Sequence, residues 1–179
     1  MKMKHHGEFQ AKPGIYFLYN EQGLVLYIGK ANNLLTRLAK HEVEHDVVHS
    51  WISFFDQHFE RLNIRIRKAA QRKDVASFDR ISRMIAWPLA IIESKQAIDC
   101  CYDMVDSIKS DRCSPGELDL EEIRYIRSLK PPFNYQYNGE VAQFDRRKYF
   151  PAKYLKSKAL SNLVSHYTRI FAMQSLEDN

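Results

Sequence analysis

The stretch Pro13–His41, PGIYFLYNEQGLVLYIGKANNLLTRLAKH, decides how the rest of the chain is read. Residues 15 to 19 and 24 to 28 are runs of β-branched and aromatic residues. Between them Asn20-Glu21-Gln22-Gly23 has turn chemistry, with Gly23 free to take a positive φ. The pattern predicts a β-hairpin. Gly29 then lets the backbone leave the second strand sharply. Asn32 or Asn33 suits the N-cap of a helix with Leu34, Leu35 and Leu38 on one side. On that helix Arg37 and His41, four residues apart, are neighbours. Tyr16, Tyr27, Lys30, Arg37 and His41 thereby converge at one end of a hairpin-helix unit.

A second informative stretch lies far along the chain. Ser114-Pro115-Gly116-Glu117 has the form of a capping box with proline at the first helical position, and Lys130-Pro131-Pro132 is a stop. At about 100° per residue, Leu118, Tyr125, Ile126 and Leu129 form one apolar arc. Glu122 falls inside that arc, whereas Glu121 lies towards its edge. A carboxylate facing the core is costly unless it is paired or binds a metal. A salt bridge from Glu122 to Arg37 or Lys30 and a metal role are compatible in a metal-free state.

These two stretches together resemble the GIY-YIG nuclease superfamily, and Tyr27 to Leu38 is similar to the N-terminal nuclease domain of the bacterial excision-repair endonuclease. Gly14-Ile15-Tyr16 and Tyr27-Ile28-Gly29 stand at the family's usual separation. The family's third part, a helix with one glutamate followed by a Pro-x-aromatic-Asn ending, is matched by Glu122 and Pro131-Pro132-Phe133-Asn134. The resemblance covers roughly residues 12 to 42 and 117 to 135. It implies an α/β (α+β) fold, with a small three-stranded antiparallel sheet flanked by helices. It also implies a metal-dependent endonuclease acting on DNA. Glu122 would bind one Mg²⁺ or Mn²⁺, and Arg37 would stabilise charge on the phosphate. Tyr16 is the first choice for activating water, with Tyr27 lining the same spot. Lys30 and His41 would orient water or phosphate, and Asn134 would hold the site together by side-chain hydrogen bonds.

The bounds agree. At 179 residues and 21.1 kDa the chain fits one domain with its own core, and no apolar run approaches the roughly 20 residues of a membrane span. MKMKHHGEFQ lacks the apolar segment of a secretory signal. Cys100, Cys101 and Cys113 form no C-x-x-C pair, which suits a reducing, cytoplasmic setting. The net charge of +5 is compatible with a polyanionic partner, and its distribution says more. Residues 61 to 83 carry Arg61, Arg65, Arg67, Lys68, Arg72, Lys73, Arg80 and Arg83 against Asp74 and Asp79, a local +6. Residues 144 to 158 carry Arg146, Arg147, Lys148, Lys153, Lys156 and Lys158 against Asp145, a local +5, interleaved with Phe144, Tyr149, Phe150 and Tyr154. Solvated faces are the plain reading of both, but clustered cations also suit phosphate contacts. Arg65, Arg72, Arg146, Arg147, Lys148 and Lys153 are therefore the candidate nucleic-acid contacts.

Between these segments, 43 to 59 reads as helical and 62 to 84 as one or two amphipathic helices. Trp87 to Ile92 reads as the buried third strand, because it is short, apolar and bounded, and 94 to 110 as another helix. The expected layout is a single domain over 1–179. Its core is 12–42 and 86–135, its helical insertion about 45–85 and 94–113, and its basic helical C-terminal arm 140–179. His41-Glu42-Val43-Glu44-His45 also matches H-E-x-x-H, the zinc-protease helix. The longer continuation of that pattern fails, since Val48 and Trp51 stand where glycine and a third histidine are needed. A nuclease domain that only binds nucleic acid is the other alternative, and it predicts degraded motif positions, of which there are none. A restriction-type, phage or defence nuclease suits a chain without an added zinc finger or helix-turn-helix. A lone site cuts one strand, so a homodimer or sequential nicks would be needed to cut both.

Overall fold

The computed structural model describes residues 9–134, 136–138 and 154–177. The chain divides into two compact units, one formed by Met1–Asp46 with Ala97–Tyr149, the other by Val47–Gln96 with Phe150–Asn179. The first unit holds a three-stranded antiparallel sheet in the order β2-β1-β3, from β1 (Gly14–Tyr19), β2 (Val25–Ala31) and β3 (Ser107–Arg112). Helix α1 (Leu34–Gln71) and helix α2 (Val75–Asp103) each run through both units, α3 (Leu118–Leu129) belongs to the first, and α4 (Leu155–Glu177) to the second.

The hairpin forms as the turn chemistry dictates. Gly23 takes φ 76°, and the Asn20 side-chain oxygen accepts from the backbone N–H groups of Gln22 (3.1 Å) and Leu24 (2.8 Å). Asn33 is the residue that caps α1, accepting from Thr36 N–H at 3.0 Å. In the register Tyr16 stands opposite Gly29 and Leu18 opposite Tyr27, so both tyrosines rise from one sheet face. On the other face Ile15, Phe17 and Ile28 pack against Leu118 and Ile126 of α3, with Tyr125 edge-on to Phe17 at 4.9 Å.

Gly29 is required by Tyr16. A Cβ at residue 29 would collide with the phenol ring and hydroxyl of Tyr16, and Tyr16 is wholly buried, so the ring has nowhere to go. Gly29→Ala should therefore cost about 1–3 kcal/mol by overpacking. A lowered denaturation midpoint together with lost activity is the expected result; a variant as stable as wild type would show that the ring can move aside.

The sheet differs from expectation in one strand. Trp87 to Ile92 lies inside α2, not in the sheet, and Pro88 is within the helix. Ile81, Ile85, Pro88, Leu89 and Ile92 are all buried, which is a helical spacing that an apolar six-residue window conceals. The true third strand is Ser107–Arg112, which falls in the stretch read as helix. It is an edge strand with only Ile108 buried, so its sequence SIKSDR is polar and charged, as exposed edges are. The core boundary at residue 86 and the split insertion move with it.

The glutamate helix starts slightly later than the capping pattern indicates. Ser114 Oγ donates to the Glu117 carboxylate at 2.6 Å and Glu117 N–H to Ser114 O at 3.0 Å, closing a turn ahead of Leu118. It ends at Lys130, in the left-handed conformation (φ 47°) before the two prolines. Leu118 and Ile126 are buried as expected, but Leu129, in the last turn, is 46% exposed.

In the second unit Val48, Ile52, Phe55, Leu62, Ile66 and Ala69 of α1 and Phe78, Ile81, Ile85 and Leu89 of α2 supply a buried spine. Helix α4 packs on it through Phe171 and Tyr167, which meet Phe78 at 5.0 and 6.4 Å, and through wholly buried Leu160. Lys156 of α4 also pairs with Asp56 at 3.4 Å. The end of the expected basic arm is thus part of a helical core. Among the described residues no helix is long and apolar enough to cross a membrane.

Candidate active site

Four side chains converge on the tyrosine face of the sheet. The Tyr16 hydroxyl meets His41 Nε2 at 2.8 Å, and the Tyr16 and Tyr27 rings lie 6.0 Å apart. Tyr27 and Arg37 both come within hydrogen-bonding reach of the Tyr16 hydroxyl. The reason is local: β1 and β2 set the tyrosines diagonally across the hairpin, and one turn of α1 sets Arg37 and His41 over them. His41 is buried, and its Nδ1 faces Glu44 at 3.7 Å.

The electrostatics distinguish the tyrosines. Burial pushes the Tyr16 pKa far up and Tyr27 adds to it, while Arg37 opposes both. Burial also raises Tyr27, yet the Tyr16 hydroxyl and Arg37 pull it back. Tyr27 is the partly exposed one of the pair, and a phenolate there would receive the Tyr16 hydrogen bond. Arg37 remains a cation: desolvation opposes its charge, and the Tyr16 and Tyr27 hydroxyls outweigh it.

Lys30 and Glu122 form the neighbouring half. Lys30 Nζ contacts Asp119 at 2.6 Å and Glu122 at 2.8 Å, and the two carboxylates raise its pKa. Glu122 is 14% exposed at the side chain and its charge is felt by Tyr27, which joins the two halves electrostatically. Glu121 instead points to Arg124 at 2.6 Å. A hard dication takes one or two carboxylates and completes its shell with water and phosphate oxygens. A half-buried Glu122, with Asp119 across Lys30, fits such an ion.

Asn134 lies apart from the reactive groups. Its Oδ1 accepts from Ile28 N–H at 2.8 Å and its Nδ2 donates to Ile28 O at 2.7 Å, while Phe133 N–H donates to Leu26 O at 3.0 Å. Buried Asn134 therefore stands in for a fourth strand along the open edge of β2, fixing the strand that carries Tyr27 and Lys30. Arg65 and Arg72 are exposed in the second unit; Arg146, Arg147, Lys148 and Lys153 lie outside the described residues.

Residues the sequence did not flag sit behind His41. Tyr102 packs against the rings of His41 and His45 at 5.5 and 5.9 Å, and His45 Nδ1 meets wholly buried Asp99 at 2.7 Å. A lone aspartate and tyrosine in a helical stretch carry no pattern that would mark them. The H-E-x-x-H pair is thus engaged elsewhere, His41 with Tyr16 and His45 with Asp99. Cys100 and Cys101 are buried thiols outside any disulfide.

Residues 12–72 match the family described as the UvrC-like GIY-YIG domain, a span that contains Tyr16, Tyr27, Lys30, Arg37 and His41 but not Glu122 or Asn134. No curated protein matches the chain. Among solved structures, the N-terminal GIY-YIG endonuclease domain of UvrC from Thermotoga maritima, bound to magnesium as its catalytic divalent cation, is similar at 15% identity and a TM-score of 0.37. That alignment covers 70% of this chain and 86% of that one. Two tyrosine-to-phenylalanine point mutants of that domain, bound to its catalytic divalent cation, align with TM-scores of 0.35 at 15% and 14% identity. They cover 72% and 70% of this chain and 88% and 86% of theirs. The matched stretch, residues 12–72, is therefore similar to a UvrC-like GIY-YIG domain, and it includes both tyrosine motifs, the arginine and the first two strands of the sheet.

Proposed function

We propose that the chain is a metal-dependent endonuclease hydrolysing phosphodiester bonds in DNA. The observation that carries this is the joining of Tyr16, Tyr27, Arg37 and His41 on one sheet face, with Glu122 beside them. A single Mg²⁺ or Mn²⁺ held by Glu122 would supply charge stabilisation at the scissile phosphate and leaving oxygen. Tyr27, the more exposed tyrosine, takes the proton of the attacking water. It does so as the phenolate, which accepts the Tyr16 hydroxyl's hydrogen bond, while the Tyr16 oxygen lies against His41 Nε2. Tyr16 thus supports the base instead of serving as it, because it is wholly buried. Arg37 stabilises both the phenolate and the phosphate oxygens through its planar donor fork. Lys30 holds Glu122 in place and orients the phosphate.

Incubation with supercoiled plasmid, with and without Mg²⁺, tests the reading: metal-dependent nicking is expected, and an inert protein would overturn it. A stand-alone restriction-type, phage or defence role predicts cleavage without added subunits. Linear product formed without a nicked intermediate would point to paired sites in a homodimer, and linear product formed after it to sequential nicks. Because the Tyr27 pKa is raised, the phenolate fraction, and with it the rate, should climb as pH rises. Tyr27→Phe should remove that climb and cost about 10²–10⁴-fold in rate. Tyr16→Phe should cost less; the reverse order would make Tyr16 the base.

A further inference from the structure

Taking the nuclease reading as given, we infer that the phosphate backbone of duplex DNA is gripped by one stripe of the helical unit. That stripe is Arg61, Arg65 and Lys68 of α1, continued by Arg72 and Lys73 in the turn before α2. Charge is divided unequally between the units. Residues 47–96 carry nine lysines and arginines against five acidic residues, a net +4. The sheet-bearing unit, Met1–Asp46 with Ala97–Tyr149, carries fourteen against fifteen, a net −1. The unit holding the tyrosines and Glu122 has no net positive charge to draw in a polyanion, so the excess of cations lies in the helical unit.

The stripe differs from an ordinary solvated helix face. Arg61 and Arg65, Arg65 and Lys68, and Lys68 and Arg72 are three or four residues apart and so are neighbours on the surface. A face evolved only for solubility mixes signs at those spacings, whereas here like charges adjoin and disfavour the helix. All four side chains are exposed, and Arg72 has the Asp74 carboxylate near it. The buried row Leu62, Ile66 and Ala69 holds the helix from its other side, so the cations are presented on a packed support. Lys73 adds a fifth cation at the turn, with φ 54°, a conformation that favours glycine. From Arg61 to Arg72 the axis runs roughly 16 Å, along which a duplex presents about ten phosphates.

The test is duplex binding by the full-length chain, without divalent metal so that nothing is cut, measured against salt concentration. Arg61→Gln, Arg65→Gln, Lys68→Gln and Arg72→Gln are combined in one variant. Lys12→Gln, Lys40→Gln, Lys109→Gln and Arg127→Gln, all in the sheet-bearing unit, make a second variant of equal net charge. Four lost phosphate contacts should reduce the slope of log affinity on log salt by about 3.6, and affinity near 0.1 M salt by on the order of 10²–10³-fold. The second variant should keep nearly the wild-type slope. Equal losses in both would make the effect one of net charge and overturn the stripe; unchanged slopes in both would overturn it too. Wild type that nicks plasmid while the stripe variant keeps its slope sinks this inference alone. Wild type that binds through the stripe but never nicks sinks the nuclease reading alone.

Discussion

Glu122→Gln should abolish cleavage while leaving DNA binding within about threefold of wild type. The substitution keeps shape and hydrogen-bonding capacity and removes only the charge, at a side chain that is 14% exposed and held by Lys30 at 2.8 Å. On the proposed reading the site would lose its metal ligand with that charge. Removing even one preorganised electrostatic group commonly costs about 10²–10³-fold, and loss of the ion adds to this. Lys30 keeps Asp119 as a partner, so the local structure should survive. Glu121→Gln is the matched control, because Glu121 pairs with Arg124 where Glu122 pairs with Lys30. Its activity should be near wild type. Equal loss in the two variants, or full activity in Glu122→Gln, would remove Glu122 from the metal role.

The legible part of this molecule is the part where local chemistry and site chemistry coincide. The Asn20–Gly23 turn, the Asn33 cap and the two strands between them are specified within thirty or so residues. The same segment places Tyr16, Tyr27, Arg37 and His41, so reading the hairpin also reads most of the site. Glu122 was legible for a different reason: a carboxylate inside an apolar helical arc must have a partner, and Lys30 is that partner. The third strand was not legible. Its burial is a single residue, Ile108, and its pairing with β1 spans about ninety residues, most of them helical, so nothing local marks it. The apolar run at 87–92 misled because a helix buried on one side and carrying leucine, isoleucine and proline can hold six apolar residues in succession. Only the longer spacing from Phe78 to Ile92 separates the two cases. Asp99 and Tyr102 reach His45 and His41 through the fold alone.

Arg37→Ala should be the most damaging change that removes no metal ligand. The guanidinium lies beside both phenols, and it is the one neighbour named here that favours ionisation of Tyr16 and of Tyr27 alike. Deleting it withdraws stabilisation from the phenolate and from the phosphate at the same step, so a loss of about 10²–10³-fold or more in rate is expected. The pH dependence adds a second signature: without Arg37 the tyrosines ionise later, and the rising limb of the rate should move to higher pH. Arg37→Lys restores the charge but not the planar fork, so rescue should be partial. His45→Ala separates this mechanism from metal-dependent proteolysis on the same helix. His45 lies against buried Asp99 at 2.7 Å, so its loss should lower stability by about 1–3 kcal/mol through a contact removed from a buried carboxylate. The rate per folded molecule, however, should remain close to wild type. The measurements are plasmid nicking across pH, the denaturation midpoint, and zinc content. Stoichiometric zinc that vanishes in His45→Ala, with an Arg37→Ala protein of undiminished activity, would transfer the chemistry from the tyrosines to the histidines.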